Sequence, residues 1–131
     1  MKFLVFIIFL YYFIMPSYGN WEFISKDSNN STIYIDINSI KIFKNLIYTW
    51  TMYSLDQEDK RIAKTGYASY ITHEYIDCNN LSRATLIEIK FHQPMGKGKS
   101  FYDSYPDAIL NKPQVGSLGF DLITKACSFI K

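Results

Sequence analysis

A pair of cysteines behind an export signal constrains the fold of this chain more than any other feature. Residues 1–19 have the parts of a secretory signal peptide: the positive charge of Lys2, an apolar run at residues 3–14, and small residues at the −3 and −1 positions of a cleavage site. The apolar run is shorter than the ~20 residues that a membrane-spanning helix needs. Disulfides persist outside the reducing cytosol, so we expect Cys78 and Cys127 to be bonded to each other.

Length and composition predict one domain behind the signal. The mature chain, residues 20–131, is long enough for one hydrophobic core and too short for two. It is rich in Tyr, Phe and Ile, which favour strands. Removing Lys2 from a chain of formal net charge +2 leaves the mature chain at +1. So small a charge argues against electrostatic attraction to nucleic acid or to an anionic membrane.

Alternation of apolar and polar residues predicts β-strands along most of the mature chain. The predicted strands cover residues 21–24, 32–37, 46–53 and 81–92, with a shorter strand at residues 100–103. Residues 62–77 are long enough for one extended strand or for two strands broken near Gly66. Connections are predicted at residues 36–44 and 55–60, and a helical turn at residues 107–110.

The predicted strand at residues 46–53 presents two different faces. One of them carries Leu46, Tyr48, Trp50 and Met52. Because successive side chains of a strand point to opposite sides, only one face can pack on the core. We predict that this is the core face.

The period changes to that of a helix near the end of the chain. Ser117 is a plausible N-cap. The apolar residues that then recur at helical spacing on one face are Phe120, Ile123, Ala126, Cys127 and Ile130. Because Cys78 directly follows a predicted strand, a Cys78–Cys127 bond would staple this helix to the sheet. The predicted fold class is therefore α+β.

The sequence has no motif that identifies a reaction. It contains no G-x-S-x-G, H-E-x-x-H or C-x-x-C pattern, and its histidines, His73 and His92, stand apart. The glycines at Gly96 and Gly98 lack the spacing of a phosphate-binding loop and predict a turn. We expect no catalytic, metal-binding or cofactor-binding residues, and no enzymatic activity.

Tyrosines offer the strongest hint of a binding surface. Tyrosine has a rigid apolar body and a polar tip, which suits protein contacts. The candidate residues are Tyr67, Tyr70, Tyr75, Tyr102 and Tyr105. Ordinary packing within the sheet is the alternative for each residue taken alone, but as a group they predict a protein-binding surface.

Several short motifs, in a defined order, resemble a known family. They are Trp21, Tyr34-Ile35-Asp36 with Ile40, Trp50, Tyr67-x-Ser69, Asp77-Cys78 with Arg83, Met95-Gly96-x-Gly98, Pro113-x-x-Gly116-Ser117 and Cys127. With this order and spacing, and with both cysteines in place, the mature chain resembles the bacterial surface-adhesin E-like family along nearly its whole length.

The resemblance implies a fold and a role. The implied fold is a curved antiparallel sheet of about six strands, with a C-terminal helix on one face tied to the sheet by the disulfide. The implied role is attachment to host proteins at the bacterial surface, with a homodimer formed by some members and no catalytic residues. Surface lipoproteins need a cysteine after the cleavage site, where this chain has Asn20, so we expect no lipid anchor.

Two functions follow as hypotheses. The first is an exported, non-enzymatic, adhesin-like domain that binds a host matrix or serum protein through the sheet or an exposed edge strand. The second is a periplasmic structural or accessory protein with a bacterial partner, which would share only the fold with the family. The expected location is outside the cytosol: the periplasm, the medium or the cell surface.

Overall fold

Within residues 20–130, which the computed structural model describes, the chain forms one antiparallel sheet and two α-helices. The predicted signal peptide at residues 1–19 lies outside the described residues. The strands are β1 (Trp21–Lys26), β2 (Thr32–Asp36), β3 (Lys41–Phe43), β4 (Leu46–Ser54), β5 (Ser69–Asp77), β6 (Ser82–Gln93) and β7 (Lys97–Ser104). The helices are α1 (Lys60–Thr65) and α2 (Leu118–Cys127).

The sheet confirms the predicted α+β class. Its strand order is β1-β2-β4-β5-β6-β7, with β3 paired to β4. The register shifts within the β1–β2, β5–β6 and β6–β7 pairs, and such bulges bend strands. The described residues hold seven strands where about six were expected. The additional strand is β3, whose three exposed residues are too short a segment to show a periodicity.

Helix α2 begins where the sequence predicts. The Ser117 hydroxyl accepts a hydrogen bond from the Phe120 N–H at 3.2 Å, which caps the helix. Leu122, Ile123 and Ala126 are fully buried against the sheet, in a core that includes residues of β2, β4 and β5. Burying a leucine or isoleucine side chain contributes about 1.5–3 kcal/mol, so Leu122 and Ile123 account for most of what holds the helix on the sheet.

The predicted disulfide is present. Cys78 follows the last residue of β5, Cys127 is the last residue of α2, and their Cα atoms are 5.8 Å apart. The bond spans 49 residues of sequence and joins the helix to the sheet.

The prediction of which face of β4 packs on the core is wrong. Ile47, Thr49 and Thr51 are fully buried on the side that faces α2, whereas Tyr48 is exposed. Leu46, Trp50 and Met52 lie with Tyr48 on the other side. Threonine hydroxyls can be buried when they are hydrogen-bonded, so counting apolar residues selected the wrong face.

Two local interpretations also differ from the structure. Residues 62–65, predicted as the start of a strand, belong instead to α1, which is capped by the Asp59 side chain and ends at Gly66 in the left-handed conformation with φ of 79°. The strand follows only at Ser69. The helical turn predicted at residues 107–110 is a β-turn instead, in which the Ala108 N–H donates to the Tyr105 carbonyl at 3.1 Å.

Candidate functional site

The sheet has a helix face, which packs on α2, and an open face on its other side. Residues paired directly across antiparallel strands lie on the same face, so the registers assign each side chain. The open face carries an aromatic and aliphatic surface made of Phe23, Tyr34, Tyr48, Trp50, His73, Tyr75, Ile87, Ile89 and Tyr102.

Rings stack on one another in the middle of the open face. The Trp50 and His73 rings are 4.7 Å apart between centroids, with 21° between their planes. The Tyr48 ring lies 5.0 Å from the Tyr75 ring and 6.1 Å from the His73 ring. Such pairs hold each other in place, so the cluster presents a rigid surface.

The imidazole of His73, at the centre of this surface, carries no charge at neutral pH. Burial, followed by the nearby positive charge of Lys41, lowers the pKa of His73 below its usual value. The imidazole is therefore uncharged at neutral pH, and it adds to the apolar area instead of interrupting it.

The margins of the open face are well exposed. The exposed fractions are 53% for Phe23, 59% for Tyr102 and 65% for Phe43, whose pairing with Leu46 places it on this face. These three side chains lie on separate strands, β1, β7 and β3, and they extend the apolar surface of the ring cluster towards the edges of the sheet. Large exposed apolar surfaces mark interaction sites.

A 3-10 turn at Pro94–Gly96 covers one end of the open face. The Met95 N–H donates to the Ser54 hydroxyl at 3.1 Å, and the Gly96 N–H donates to the Ser69 hydroxyl at 2.9 Å. This explains why Met52 is buried although it points away from α2. The glycine turn predicted here is thus part of the site's boundary.

The five tyrosines predicted as a binding surface do not lie together. Tyr75 and Tyr102 are on the open face, whereas Tyr70 is on the helix face, paired with Tyr53 of β4 and Lys90 of β6. Tyr67 stacks on His92 at 4.9 Å, and the Tyr105 hydroxyl lies 3.5 Å from the Asp103 carboxylate. The structure therefore places Tyr70 on the opposite face from Tyr75 and Tyr102.

The sequence alone does not identify Trp50, Tyr48 and His73 as members of the candidate site. The alternation along β4 places Trp50 and Tyr48 on one face, which the sequence predicts to be the core face. The position of His73 beside Trp50 depends on the pairing of β4 with β5, which local periodicity does not encode.

A buried polar network lies on the helix face. Glu74 is fully buried, and its Oε1 atom accepts hydrogen bonds from the hydroxyls of Thr72 at 2.9 Å and Thr85 at 3.0 Å. The Arg83 guanidinium lies 3.7 Å from the same oxygen and donates to the Tyr53 hydroxyl. The network ties β4, β5 and β6 together.

The titration of this network follows from its burial. Burial raises the pKa of Glu74, and it raises the pKa of Tyr53 to about 12, while Arg83 opposes both shifts. The Arg83 guanidinium contacts both the Glu74 carboxylate and the Tyr53 phenol, and we assign the three groups a structural role.

Within residues 20–130, no three His, Cys, Asp or Glu side chains converge closely enough to hold a metal ion. No helix in this range combines the length and the hydropathy needed to cross a membrane.

The fold and the open face define a small α+β domain. A helix packs on one face of its sheet, and the other face presents aromatic rings. The surface-adhesin protein E family model matches residues 21–128. The chain therefore belongs to the surface-adhesin protein E family, which confirms the resemblance found in the sequence. No curated protein matches the sequence at a significant level.

Solved structures show the same fold. Crystal form II of Haemophilus influenzae protein E aligns with a TM-score of 0.61 and 15% identity, covering 86% of this chain and 91% of that chain. A selenomethionine form of Haemophilus influenzae protein E aligns with a TM-score of 0.60 and 12% identity, covering 87% of this chain and 92% of that chain. Protein E from non-typeable Haemophilus influenzae aligns with a TM-score of 0.53 and 15% identity, covering 86% of this chain and 80% of that chain. At this identity the likeness concerns the fold alone.

Proposed function

We propose that this chain is an exported, non-enzymatic adhesin domain that binds a host matrix or serum protein through the open face. The observation that carries the proposal is the exposed aromatic surface of the open face. Protein interfaces are enriched in Tyr, Trp and Phe, and their strongest contacts are rigid aromatic anchors. Membership of the adhesin family supports the same role.

The composition of the open face indicates what kind of surface it would bind. The rings of Tyr48, Trp50 and Tyr75 supply apolar area with few charges, and His73 is neutral at its centre. A complementary partner presents an apolar patch rimmed by hydrogen-bonding groups that reach the tyrosine hydroxyls. Binding of this type depends weakly on salt.

Export is supported by the signal-like residues 1–19 and by the disulfide. The Cys78–Cys127 bond is stable in oxidising compartments and rare in the cytosol. A domain held by this bond suits the periplasm, the medium or the cell surface.

The binding test uses the purified mature chain, residues 20–131, with its disulfide formed. Immobilised matrix and serum proteins are screened by biolayer interferometry at micromolar concentrations. The triple variant Phe23→Ser/Tyr48→Ser/Tyr102→Ser removes exposed rings from the open face and should weaken binding at least about tenfold, because interface aromatics commonly contribute more than 1 kcal/mol each.

A matched control removes exposed apolar groups elsewhere. Ile109→Ser/Val115→Ser changes side chains that are 84% and 83% exposed on the connection before α2. It should bind as the wild type does. Loss of binding in this control, unchanged binding in the triple variant, or no binding to any protein of the panel would each contradict the proposal.

Location separates the adhesin from a periplasmic accessory protein. Intact cells are treated with protease, and released peptides are identified by mass spectrometry. Release of peptides from this chain, with periplasmic controls intact, supports the adhesin; full protection would direct the search to a bacterial partner.

A further inference from the structure

The ion pairs of residues 20–130 lie away from the open face. On the helix face, the Lys90 ammonium lies 3.7 Å from the Glu88 carboxylate and 3.5 Å from the Asp103 carboxylate. The other pairs lie on that side of the sheet or at the start of α1, and they are Arg83 with Glu74, Lys125 with Glu22, and Arg61 with Asp59. Charged side chains of the open face are therefore not neutralised by one another.

Three lysines lie on the open face. They are Lys26, Lys41 and Lys97, whose register partners Thr32, Tyr48 and Gln93 belong to the same face. All three lysines are exposed. Among the described residues, none of them has a carboxylate within 4.0 Å.

The aspartates that share this face are bonded to their own turns. Asp36, paired with Trp21, accepts a hydrogen bond from the Asn38 N–H at 3.1 Å. Asp77, paired with Leu46, accepts one from the Asn79 N–H at 3.0 Å. Both aspartates lie at strand ends, so the unpaired charges beside the rings are positive.

Lys41 borders the ring cluster. It lies directly across from Tyr48, whose ring is 5.0 Å from the Tyr75 ring. Burial, followed by the charge of Lys41, lowers the pKa of His73, so the field of this ammonium reaches the middle of the cluster. Next to it, the Lys44 Nζ atom lies 5.5 Å from the centroid of the exposed Phe43 ring. Aromatic area and positive charge are thus adjacent at this corner of the open face.

We infer that the partner surface bound by the open face is acidic beside its apolar patch, and that Lys41 pairs with a carboxylate of the partner protein there. The inference rests on the proposed function, because it specifies the partner of the same face. Opposite charges at the rim of an interface attract the correct partner, and like charges exclude others. Lys41 is therefore a specificity-determining residue, whereas the rings supply most of the affinity.

A sulfated polysaccharide is the competing occupant, because it would also pair with lysines. Attraction to such a polyanion depends on many basic groups acting together, and the formal net charge of the chain is only +2. The rings beside Lys41 favour a protein surface, on which apolar and acidic side chains occur together.

The first test uses the isotope-labelled mature chain and two capped peptides that differ only in charge. The acidic peptide is Glu-Leu-Trp-Pro-Leu-Glu, and the basic peptide is Lys-Leu-Trp-Pro-Leu-Lys. NMR titration should show the acidic peptide binding at least about threefold more tightly, with shifts centred on the amides of Lys41, Tyr48 and His73. Equal affinities, shifts centred elsewhere, or binding of neither peptide would overturn the inference.

Exchanging the charge on the protein separates position from overall charge. Lys41→Glu should reverse the preference between the peptides, and Lys41→Met should abolish it. Lys112→Glu is the matched control, because it makes the same change at an exposed lysine on the connection before α2. It should keep the preference of the wild type. Circular dichroism verifies that each variant is folded. An unchanged preference in folded Lys41→Glu, or a reversal in Lys112→Glu, would contradict the role of Lys41.

Proteins of the matrix and serum panel that bind the wild type provide the second test. The contacts of the rings depend weakly on salt, so the salt-dependent part of the affinity should be lost in Lys41→Met when NaCl is raised from about 0.05 M to about 0.5 M. Binding that needs the rings of Phe23, Tyr48 and Tyr102 but is unaffected by Lys41→Glu would overturn this inference and leave the adhesin proposal standing. A peptide preference without binding to any panel protein would contradict the adhesin proposal alone.

Heparin is the probe for the competing occupant. Because the inference requires rings and lysine together, heparin should bind the mature chain weakly or not at all. Tight heparin binding that persists in Tyr48→Ser and is lost in Lys41→Glu would assign the lysines to a polyanion and overturn the inference.

Discussion

Trp50 and His73, on neighbouring strands, stack with ring centroids 4.7 Å apart and 21° between their planes. The indole covers one side of the imidazole and contributes to the burial that lowers the His73 pKa. The packing of the open face is thereby coupled to the protonation of His73.

Lowering the pH should reduce the free energy of unfolding because His73 becomes protonated. Its pKa in the native state is below the ordinary 6.5, so the unfolded chain takes up a proton more readily. The stabilising contribution is fully present above pH 6.5 and is lost as the pH falls through the lower native pKa. Urea unfolding at several pH values should show a steeper loss for the wild type than for His73→Phe.

Comparison with His73→Phe cancels the contributions of other groups, such as Glu74, whose pKa is shifted in the opposite direction. The NMR titration of His73 gives a second readout. In Trp50→Leu, which uncovers the ring, its pKa should rise towards the ordinary value. An identical pH dependence of wild type and His73→Phe would rule out this coupling.

Arg83 should be the most sensitive position on the helix face. Arg83→Met leaves the fully buried Glu74 without a counter-charge, and removing one partner of a buried pair costs about 3–5 kcal/mol. Adding Glu74→Gln, which is neutral and keeps an acceptor for Thr72 and Thr85, should recover part of this loss. Urea unfolding of both single variants and the double variant measures the coupling energy between Arg83 and Glu74. If the loss of stability in the double variant equals the sum of the losses in the single variants, the two residues are not coupled and the prediction is wrong.

Much of the fold could be predicted because its signals are local. The Ser117 cap and the apolar stripe containing Ile123 and Ala126 define α2 without reference to the rest of the chain. The sequence also encodes the boundaries of α1, in the Asp59 cap and in Gly66, but Gly66 equally fits the two alternatives predicted there, one extended strand or two strands broken at the glycine. A glycine in the left-handed conformation ends helices as readily as it interrupts strands.

The open face could not be predicted in the same way. Alternation places Tyr48 and Trp50 on one side of β4 but does not say which side is buried. That choice depends on Thr49 and Thr51, which are buried beside the polar network of the helix face. The Thr51 hydroxyl lies 2.6 Å from the Thr72 hydroxyl on β5, a contact that depends on pairing between distant segments.

The disulfide should contribute strongly to stability. Cys78→Ser and Cys127→Ser should each lower the free energy of unfolding by about 2–5 kcal/mol, since the bond restricts a long loop in the unfolded chain. Thermal unfolding with and without reductant provides the measurement, and the Cys78→Ser/Cys127→Ser double variant should match the reduced wild type. Equal melting temperatures of oxidised and reduced protein would show that packing of α2 alone suffices.

Gly96 should tolerate a side chain less well than Gly116. Both glycines have positive φ, 68° and 87°, so alanine at either position meets a backbone cost of about 1–2 kcal/mol. At Gly96 the added Cβ would also lie 2.9 Å from the Ile71 Cδ1 atom and 3.6 Å from the Met52 Sδ atom, whereas at Gly116 nothing lies within 4 Å. In Gly96→Ala, either the Ile71 side chain or the turn must shift. Thermal and urea unfolding should therefore show a larger loss for Gly96→Ala than for Gly116→Ala, and equal losses would mean that this shift costs nothing measurable.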